Sequence, residues 1–504
     1  MKVTLDRESA VPVYWQIFEQ IRGQILAGEM VPGYRLPPER KLAERLGVNR
    51  TTVLNAYREL KAEGLVGSQV GKGTVVLAYP EEELDLSHYP EEPAWNQIFS
   101  QYSQRFESYM VKDLLTLASR KDVISFATGI ASPETGPMQA LAGIEEEIVA
   151  KKNYRALLHT PTEGFTSLRE AVCGLMHQRG VYCQREEVML LSGSQQGIEL
   201  AARIFLDPGD IVVVEEPSFF PAIQAFRSIG ARVIGIPIDE QGMRVDELEQ
   251  LLLRYRPKLI YTMPTFHNPS GTEMELERRK QLMEVANKYG VLLLEDDAYG
   301  DLCYEGHQYP LLKSMDRNGY VIYLSTFSKN LYSGLRLGWL VANKKVVQKF
   351  SAAKQLIDLH SNSLSQWIVE RFIVNGSLET HIPKVCEEYR ARRDAMCQAL
   401  SQYAPANVRW NKPRGGYYIW CKLPDGVSAA KLLLKAAEYK VVFVPGTPFF
   451  TAGQGDDYIR LNFTFAPFAD IPEGIKRLCL AMKDLMAARD DQESSLDIEI
   501  NPIV

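Results

Sequence analysis

The stretch STFSKNLYSGLRLGW, residues 325–339, contains one lysine among small hydroxyl residues and one arginine seven positions later. The lysine is Lys329, flanked by Thr326 and Ser328, and the arginine is Arg336. A lysine without such neighbours is usually a solvated surface residue. Hydroxyl groups and a bidentate guanidinium suit a phosphate, and the amine suits an aldehyde. The stretch therefore predicts a covalent site for a phosphorylated aldehyde.

Apolar runs alternate with helix-like segments on both sides of this stretch. They include VMLLSG, DIVVVEEP, RVIGIPI, KLIYTMP, VLLLEDD and YVIYLST. Runs that are apolar on both faces predict a buried parallel or mixed sheet covered by helices, which is an α/β fold. Ligands usually bind at the C-terminal ends of such strands. Residues just after these runs are therefore candidates for a site.

Those strand ends carry the groups that a pyridoxal 5′-phosphate site requires. A glycine and the two residues after it open a predicted helix whose N–H groups suit a phosphate. A phenylalanine can stack on the ring, an asparagine can donate to the ring oxygen, and an aspartate can keep the pyridine nitrogen protonated. The candidates are Gly193, Ser194, Gln195, Phe219, Asn268, Asp296, Tyr299, Thr326, Ser328, Lys329 and Arg336.

Each of these pieces is weak evidence alone, since a lone phenylalanine is usually core and adjacent acids often cap a helix or bind a metal. No His or Cys stands at metal-ligand spacing near the acids, so we expect no metal. Six pieces in a consistent order at strand ends favour the cofactor.

Composition indicates a cytoplasmic protein of two or more domains. The chain has 504 residues, and it lacks a run of about 18 apolar residues, the length of a membrane span. Charged residues stand near its start, where a signal peptide has an apolar stretch. Its seven cysteines form no CxxC pair, which is typical of reduced thiols.

The first eighty residues show a helix–turn–helix pattern with a mild basic excess. Residues 1–79 contain 11 Lys and Arg against 8 Asp and Glu, whereas the whole chain has a net charge of −6. One apolar face with a spacing of four precedes two shorter helical patterns, which Gly47 separates by a turn. Asn49 is the expected N-cap of the second, whose first residues Arg50, Thr51 and Thr52 would face DNA. We count all four among the candidate DNA-binding residues. A helical cap domain without a nucleic-acid role is the alternative.

This stretch resembles the GntR-type winged helix. The pattern GxRLPxxRxLAxxLGVxRxTV, followed by AxxxLxxxGL, is matched from Gly33 to Leu65. The resemblance implies that DNA is contacted by Arg35, Arg40, Arg50, Thr51 and Lys72, the last at the tip of a glycine-flanked hairpin.

Residues from about 114 to 485 resemble fold-type I, aspartate-aminotransferase-like enzymes, because the candidate residues follow their motif order. This resemblance implies a pyridoxal 5′-phosphate-binding large domain with a smaller C-terminal α+β domain. It also implies that Arg460, in YIRLNFTF, grips a carboxylate of the ligand. A GntR-type winged helix followed by such a domain is typical of the MocR-type transcriptional regulators. This resemblance implies operator DNA as a partner and a head-to-tail homodimer.

One position departs from the aminotransferase pattern. Those enzymes place a tyrosine about five residues before the glycine of GxxxLRE, where it reaches the phosphate of the partner subunit. His159 stands at that spacing here, and Tyr154 lies nearby.

We expect a winged helix at 1–79, an acidic linker at 80–113, the aminotransferase-like domain at 114–489 and an acidic, poorly ordered tail at 490–504. The first functional hypothesis is a regulator that senses an amino-group-bearing effector, carrying a carboxylate, by aldimine exchange at Lys329. A pyridoxal-phosphate-dependent aminotransferase and a sensor of pyridoxal phosphate itself are the alternatives.

Overall fold

The computed structural model describes residues 1–7, 9, 11–69, 73–77, 95–100, 102–105, 120, 122–151, 154–306 and 308–498, with the side chains of 69, 96, 97 and 489–498 left out. The chain divides into two compact units, Met1–Ile98 and Phe99–Val504. The division falls inside the segment predicted as a linker, 80–113. Most of that segment lies outside the described residues, apart from 95–100 and 102–105, which include the short helix Trp95–Ile98.

The first unit contains three helices followed by an antiparallel hairpin. The helices are Val13–Leu26, Glu39–Leu46 and Arg50–Ala62, and the strands are β1 (Val66–Gln69) and β2 (Gly73–Val76). The predicted spacing of four puts Ile17, Ile21 and Ile25 in the core of this unit. The winged helix–turn–helix predicted from the sequence is therefore present.

The turn between the second and third helices has the predicted chemistry. Gly47 ends the second helix at φ +62, a left-handed conformation that glycine adopts without strain. The side-chain oxygen of Asn49 accepts a hydrogen bond from the backbone N–H of Thr51 at 3.2 Å and so caps the third helix. The hydroxyl of Tyr57 donates to the carbonyl of Pro37 at 2.8 Å, which fixes the third helix against the segment that carries Arg35.

The second unit is built on an eight-stranded sheet in the order β4-β11-β10-β9-β8-β5-β6-β7. Strands β10, β9, β8, β5 and β6 are parallel, whereas β11 and β7 run antiparallel to their neighbours. The strands are β4 (Val188–Leu191), β5 (Ile211–Glu216), β6 (Arg232–Asp239), β7 (Gly242–Met243), β8 (Leu259–Thr262), β9 (Leu292–Asp296), β10 (Val321–Thr326) and β11 (Gly338–Val341). The six quoted runs are all strands, and the predicted mixed sheet is confirmed.

Helices surround this sheet, and every residue of β4, β8, β10 and β11 is buried. This burial explains why these strands read as continuous apolar runs. The helices of the second unit are Met138–Ala150, Thr166–Gln178, Ser194–Phe205, Phe220–Ile229, Val245–Tyr255, Leu276–Tyr289, Leu312–Met315, Lys344–Gln355, Ser363–Val374, Ser377–Tyr403, Ala429–Glu438 and Ile471–Ile498.

A smaller antiparallel sheet forms the C-terminal α+β part. Its order is β12-β13-β16-β15, and a separate parallel pair joins β3 to β14. The strands are β3 (Ile124–Ser125), β12 (Arg409–Trp410), β13 (Tyr418–Lys422), β14 (Val441–Val442), β15 (Val444–Pro445) and β16 (Tyr458–Asn462). The last helix continues to Ile498, so the segment predicted as a poorly ordered tail is helical from 490 to 498; residues 499–504 lie outside the described chain.

The candidate cofactor site

All twelve side chains predicted to hold a cofactor or its ligand line one cavity of about 320 Å³. They come from the C-terminal ends of β4, β5, β8, β9 and β10, and from β16 of the smaller sheet. They are Gly193, Ser194, Gln195, Phe219, Asn268, Asp296, Tyr299, Thr326, Ser328, Lys329, Arg336 and Arg460. The structure therefore brings together residues spread over 268 positions of the sequence.

Lys329 presents its amine to this cavity. Its Nζ donates to the carbonyl oxygen of Gly129 at 2.6 Å, and the hydroxyl of Tyr417 holds the Lys329 carbonyl at 2.5 Å. Burial lowers the pKa of Lys329 below its ordinary value, and Arg460 adds to the effect, whereas Tyr418 and Asp296 oppose it. A lowered pKa increases the neutral fraction of the amine, which is the form that attacks a carbonyl carbon.

Asp296 is the acid that faces the cavity. Its Oδ2 accepts a hydrogen bond from the hydroxyl of Tyr261 at 2.8 Å, whereas its buried Oδ1 has no partner among the described residues. Burial raises the pKa of Asp296 to about 7. An unpartnered buried oxygen of this kind fits the N–H of a pyridinium ring, which would supply both a hydrogen bond and an opposite charge.

The neighbouring acids of the same strand end have other partners. Glu295 accepts from the backbone N–H groups of Leu312 and Lys313 at 2.9 and 2.8 Å. Asp297 pairs with the guanidinium of Arg179 at 2.5 Å. Of these three consecutive acids, Asp296 alone is among the residues that line the cavity.

The opposite end of the cavity suits a phosphate. Ser194 begins a helix, so its first N–H groups are free to bind an anion. Arg336 donates to the carbonyl of Ser192 at 2.7 Å, which holds the guanidinium beside that helix start. Gly193 has φ +101, a conformation that residues with a side chain rarely adopt, so glycine is needed there. The Thr326 hydroxyl donates to the hydroxyl of Ser328 at 2.9 Å in the same place.

Arg460 reaches the same cavity from β16 and is only 4% exposed. One of its Nη atoms donates to Oδ1 of Asn268 at 2.9 Å, and its guanidinium carbon lies 4.2 Å from the centre of the Tyr418 ring. Its Nε has no partner among the described residues. A buried guanidinium with a free N–H is a site for a carboxylate. The contact with Asn268 also orients that amide so that its NH₂ group remains available.

Three groups that sequence reasoning missed complete the site. Tyr261 holds Asp296, the Gly129 carbonyl holds the Lys329 amine, and Tyr418 packs against Arg460. A tyrosine inside the buried run KLIYTMP was a usable signal, because a buried hydroxyl requires a partner. The other two have no local signal, since they reach the site from segments 200 and 42 residues away.

His159 and Tyr154 both lie in exposed segments of the chain. Nε2 of His360 and Nδ1 of His159 lie 2.9 Å apart, and Tyr154 is 68% exposed. Neither residue is among those that line the cavity of its own chain.

The predicted DNA-binding residues lie on one part of the first unit. Arg35, Arg40, Asn49, Arg50 and Thr51 are exposed, and Thr52 is partly exposed. The guanidinium of Arg50 is 3.8 Å from a carboxylate oxygen of Glu39. Lys72 lies outside the described residues.

Among the described residues, no helix is both long and apolar enough to cross a membrane. The same residues contain no group of three or more His, Cys, Asp or Glu side chains that could hold a metal ion.

Comparisons with known proteins agree with this geometry. Residues 121–478 match the family "Aminotransferase class I and II", and residues 13–76 match "Bacterial regulatory proteins, gntR family". The chain is 31% identical over 483 residues to the uncharacterized HTH-type transcriptional regulator YisV of Bacillus subtilis, a match that covers 95% of this chain and 98% of that protein.

The second unit is also similar to enzymes. It is 40% identical over 398 residues to aromatic-amino-acid aminotransferase 1 of Thermococcus litoralis, a match that covers 78% of this chain and 95% of that protein. LysN, the α-aminoadipate aminotransferase of Thermus thermophilus, was crystallised with N-(5′-phosphopyridoxyl)-L-leucine. It aligns at 37% identity with a TM-score of 0.74, over 79% of this chain and 100% of that one.

Fold, site and matches together define a DNA-binding regulator with an aminotransferase-type domain. The chain belongs to the MocR-type transcriptional regulators, in which a GntR-type winged helix precedes a domain of the class I and II aminotransferases. The cofactor is pyridoxal 5′-phosphate, as predicted from the sequence, and the predicted fold class is confirmed.

The buried carboxyl of Asp296 gives a prediction about pH. Its pKa is about 7 in the folded protein against an ordinary value of 3.8, so between these values the folded state binds more protons than the unfolded state. The contribution of Asp296 to the free energy of unfolding is therefore full below pH 3.8 and is lost as pH rises through about 7. In protein stripped of cofactor, we expect the free energy of unfolding of wild type to fall relative to that of Asp296→Asn as pH rises from about 5 to about 7.5. Urea unfolding at several pH values measures this difference, and parallel curves for the two proteins would refute the assignment.

Proposed function

We propose that the protein is a transcriptional regulator whose aminotransferase-type domain binds an effector bearing an amino group and a carboxylate. The observation that carries this proposal is that one cavity contains both a lysine amine of lowered pKa and a buried guanidinium with a free N–H. An amine and a carboxylate on one small molecule match these two groups. The winged helix in the same chain gives the binding event an output on DNA.

Different residues of the cavity would bind different parts of the cofactor. Bound pyridoxal 5′-phosphate supplies a carbonyl carbon that bonds reversibly to amines and a ring that accepts electrons. Ser194, Ser328 and Arg336 would hold its phosphate, and Asp296 would hold its ring nitrogen. The effector amine competes with Lys329 for the same carbon, and the carbonyl of Gly129 accepts a hydrogen bond from the lysine amine.

Arg460 orients the effector through its carboxylate. The guanidinium is already held by Asn268 and by the Tyr418 ring, so it loses little freedom when a carboxylate binds. A carboxylate in this buried position gains a charge-assisted hydrogen bond from Nε, which has no partner among the described residues. An amine without a carboxylate would leave this N–H unpaired, and we expect such amines to bind more weakly.

Contacts near Arg460 offer a route from the effector to the rest of the unit. Phe449 lies 4.9 Å from the Arg460 guanidinium, and its carbonyl accepts from the N–H of Ser218 at 2.7 Å. Two residues further on, Thr451 donates through its backbone N–H to the Glu216 carboxylate at 2.7 Å. These bonds tie segment 446–455 to the end of β5, beside Phe219. A ligand at Arg460 that shifts Phe449 would move this connection. If the moved and unmoved arrangements differ in DNA affinity, the effector needs to bind one of them only about 1.4 kcal/mol more tightly to change that affinity tenfold.

A head-to-tail homodimer remains part of this proposal. Exposed apolar side chains from two segments lie close together where His159 meets His360. They include Leu157, Leu158, Leu356 and Leu359, which are 53–90% exposed. Exposed apolar side chains on both sides of this contact are the kind of surface that subunits bury in an interface. Sedimentation equilibrium should give the mass of two chains, and the mass of one chain at micromolar concentration would contradict the dimer.

Transamination is the second candidate function. The second unit is more similar to the aromatic-amino-acid aminotransferase (40%) than the whole chain is to YisV (31%). The lysine, aspartate and arginine expected for the reaction all line the cavity. A sensor of pyridoxal phosphate alone is the third candidate, and it leaves the buried Arg460 without a ligand.

Replacing the lysine tests the effector proposal. We expect amino acids to change the visible absorbance of the wild-type holoprotein and its affinity for an operator selected from random duplexes. Lys329→Ala should lose the covalent link between protein and cofactor, and amino acids should change its DNA affinity only while pyridoxal 5′-phosphate is bound. Lys349→Ala, an exposed lysine on the helix Lys344–Gln355, is the matched control and should behave as wild type.

Two outcomes count against the regulator. A DNA response to amino acids in protein stripped of pyridoxal 5′-phosphate would show that the effector acts elsewhere. Accumulation of a keto acid, with conversion of the cofactor to its amine form at every turnover and no change in DNA affinity, would establish the enzyme instead.

The recognition helix is tested separately. We expect Arg50→Ala to weaken operator binding by about 1–3 kcal/mol if its guanidinium contacts a guanine. Lys61→Ala, exposed in the last turn of the same helix, is the control and should have a smaller effect. Asn49→Ala should instead lower the stability of the first unit by about 1 kcal/mol, because its side chain caps the helix. Gel-shift titration and thermal unfolding separate the two effects, and unchanged DNA affinity in Arg50→Ala would remove this residue from the interface.

A further inference from the structure

The charged residues of the cavity are few. Of the described residues that line it, only Asp296, Lys329, Arg336 and Arg460 carry a charge. Three of these four match groups of the cofactor, and Arg460 matches the carboxylate of the effector. No further cation remains among the lining residues for a second carboxylate, and no further acid remains for a second amine.

The remaining wall around Arg460 is apolar. Val444 of β15 stands directly opposite Arg460 in the register of the smaller sheet, so the two side chains share one face. Val444 belongs to a small cluster with Phe449, against which Phe220 packs. The rings of Phe220 and Phe449 lie 5.6 Å apart in an edge-to-face contact. Val444, Phe220 and the neighbouring Pro448 all line the cavity.

A second side of the cavity lies between the two anchoring groups. The carbonyl of Ala127 accepts from Arg460 at 3.3 Å, and the carbonyl of Gly129 accepts from Lys329 at 2.6 Å. Segment 127–129 therefore spans the distance from the carboxylate anchor to the amine. Ile130 follows at once, lines the cavity and is 36% exposed, which is the position of a residue at the mouth.

We propose that the effector is an α-amino acid with an uncharged aliphatic or aromatic side chain, which packs between Ile130 and the Phe220–Val444–Pro448 wall. This inference rests on the proposed function and narrows its ligand. Acidic and dibasic amino acids would bury a second charge without a partner, which is costly. An ω-amino acid without a side chain would leave the apolar wall uncovered.

The test is an absorbance titration of the holoprotein with two sets of amino acids. Alanine, 2-aminobutyrate and norvaline differ by one methylene, and we expect Kd to fall about fourfold at each step as the added group is buried. Methionine and phenylalanine should bind at least about tenfold more tightly than glutamate, aspartate, lysine or 4-aminobutyrate. The proposal would be overturned if glutamate or aspartate bound most tightly, or if alanine, 2-aminobutyrate and norvaline had the same Kd.

A charge placed at the mouth of the cavity locates the side chain of the effector. We expect Ile130→Arg to shift the ratio of methionine to glutamate affinities at least about tenfold toward glutamate. Ile130→Gln, which is polar and uncharged, should lower methionine affinity without that shift. The cofactor absorbance of each variant confirms an intact site, and equal ratios in the two variants would show that the effector side chain lies elsewhere.

The outcomes separate this inference from the function on which it rests. If no amine changes the absorbance or the DNA affinity, both the proposed function and the proposed apolar subsite are wrong. If amino acids change both signals but acidic amino acids bind most tightly, the proposed regulatory function is supported and the proposed apolar subsite is wrong.

Discussion

A sheet buried on both faces leaves charged side chains only the ends of its strands, and the whole site depends on this constraint. Strands β9 and β10 are parallel neighbours, and Asp296 is paired in register with Leu324. Lys329 follows the end of β10 by three residues, so the sheet itself brings the acid and the amine to one edge. Burial then raises the pKa of the acid and lowers that of the amine. The lowered pKa of the amine suits attack on a carbonyl carbon, and the raised pKa of Asp296 reflects a buried carboxyl without the cationic partner that a pyridinium N–H would supply.

Arg460 extends this site into the smaller sheet and gives the site a group that can bind the carboxylate of the effector. Its side chain approaches the cavity from β16, whereas the lysine and the aspartate come from the large sheet. A molecule that binds Lys329 and Arg460 together therefore contacts both sheets. This arrangement serves transamination and sensing equally well, which explains how a domain so similar to aminotransferases can follow a DNA-binding head. What differs between the two roles is the step after binding.

The sequence predicted most of this arrangement, and the failures have physical reasons. All six quoted strands were found, and β4, β8 and β10 were the plainest because runs buried on both faces are apolar throughout. The predicted site residues line one cavity because they stand at or just beyond strand ends, and their role toward the cofactor stays a prediction. Tyr418 and the Gly129 carbonyl were not, since each reaches the site only through tertiary packing. The helix through Ile498 was also missed, because acidic residues there gave no apolar face by which to recognise it. Asn49 was predicted both as a cap and as a DNA contact, and its hydrogen bond to Thr51 supports the first role.

The central claim is that effector binding at Lys329 and operator binding by the winged helix are one coupled equilibrium. Coupling of this kind is reciprocal by thermodynamic necessity. The most direct measurement is the Kd of an apolar amino acid for the holoprotein, determined by absorbance with and without saturating operator DNA. The account predicts that DNA changes this Kd by the same factor by which the amino acid changes the Kd for DNA. An amino acid affinity that is identical with and without operator would contradict it.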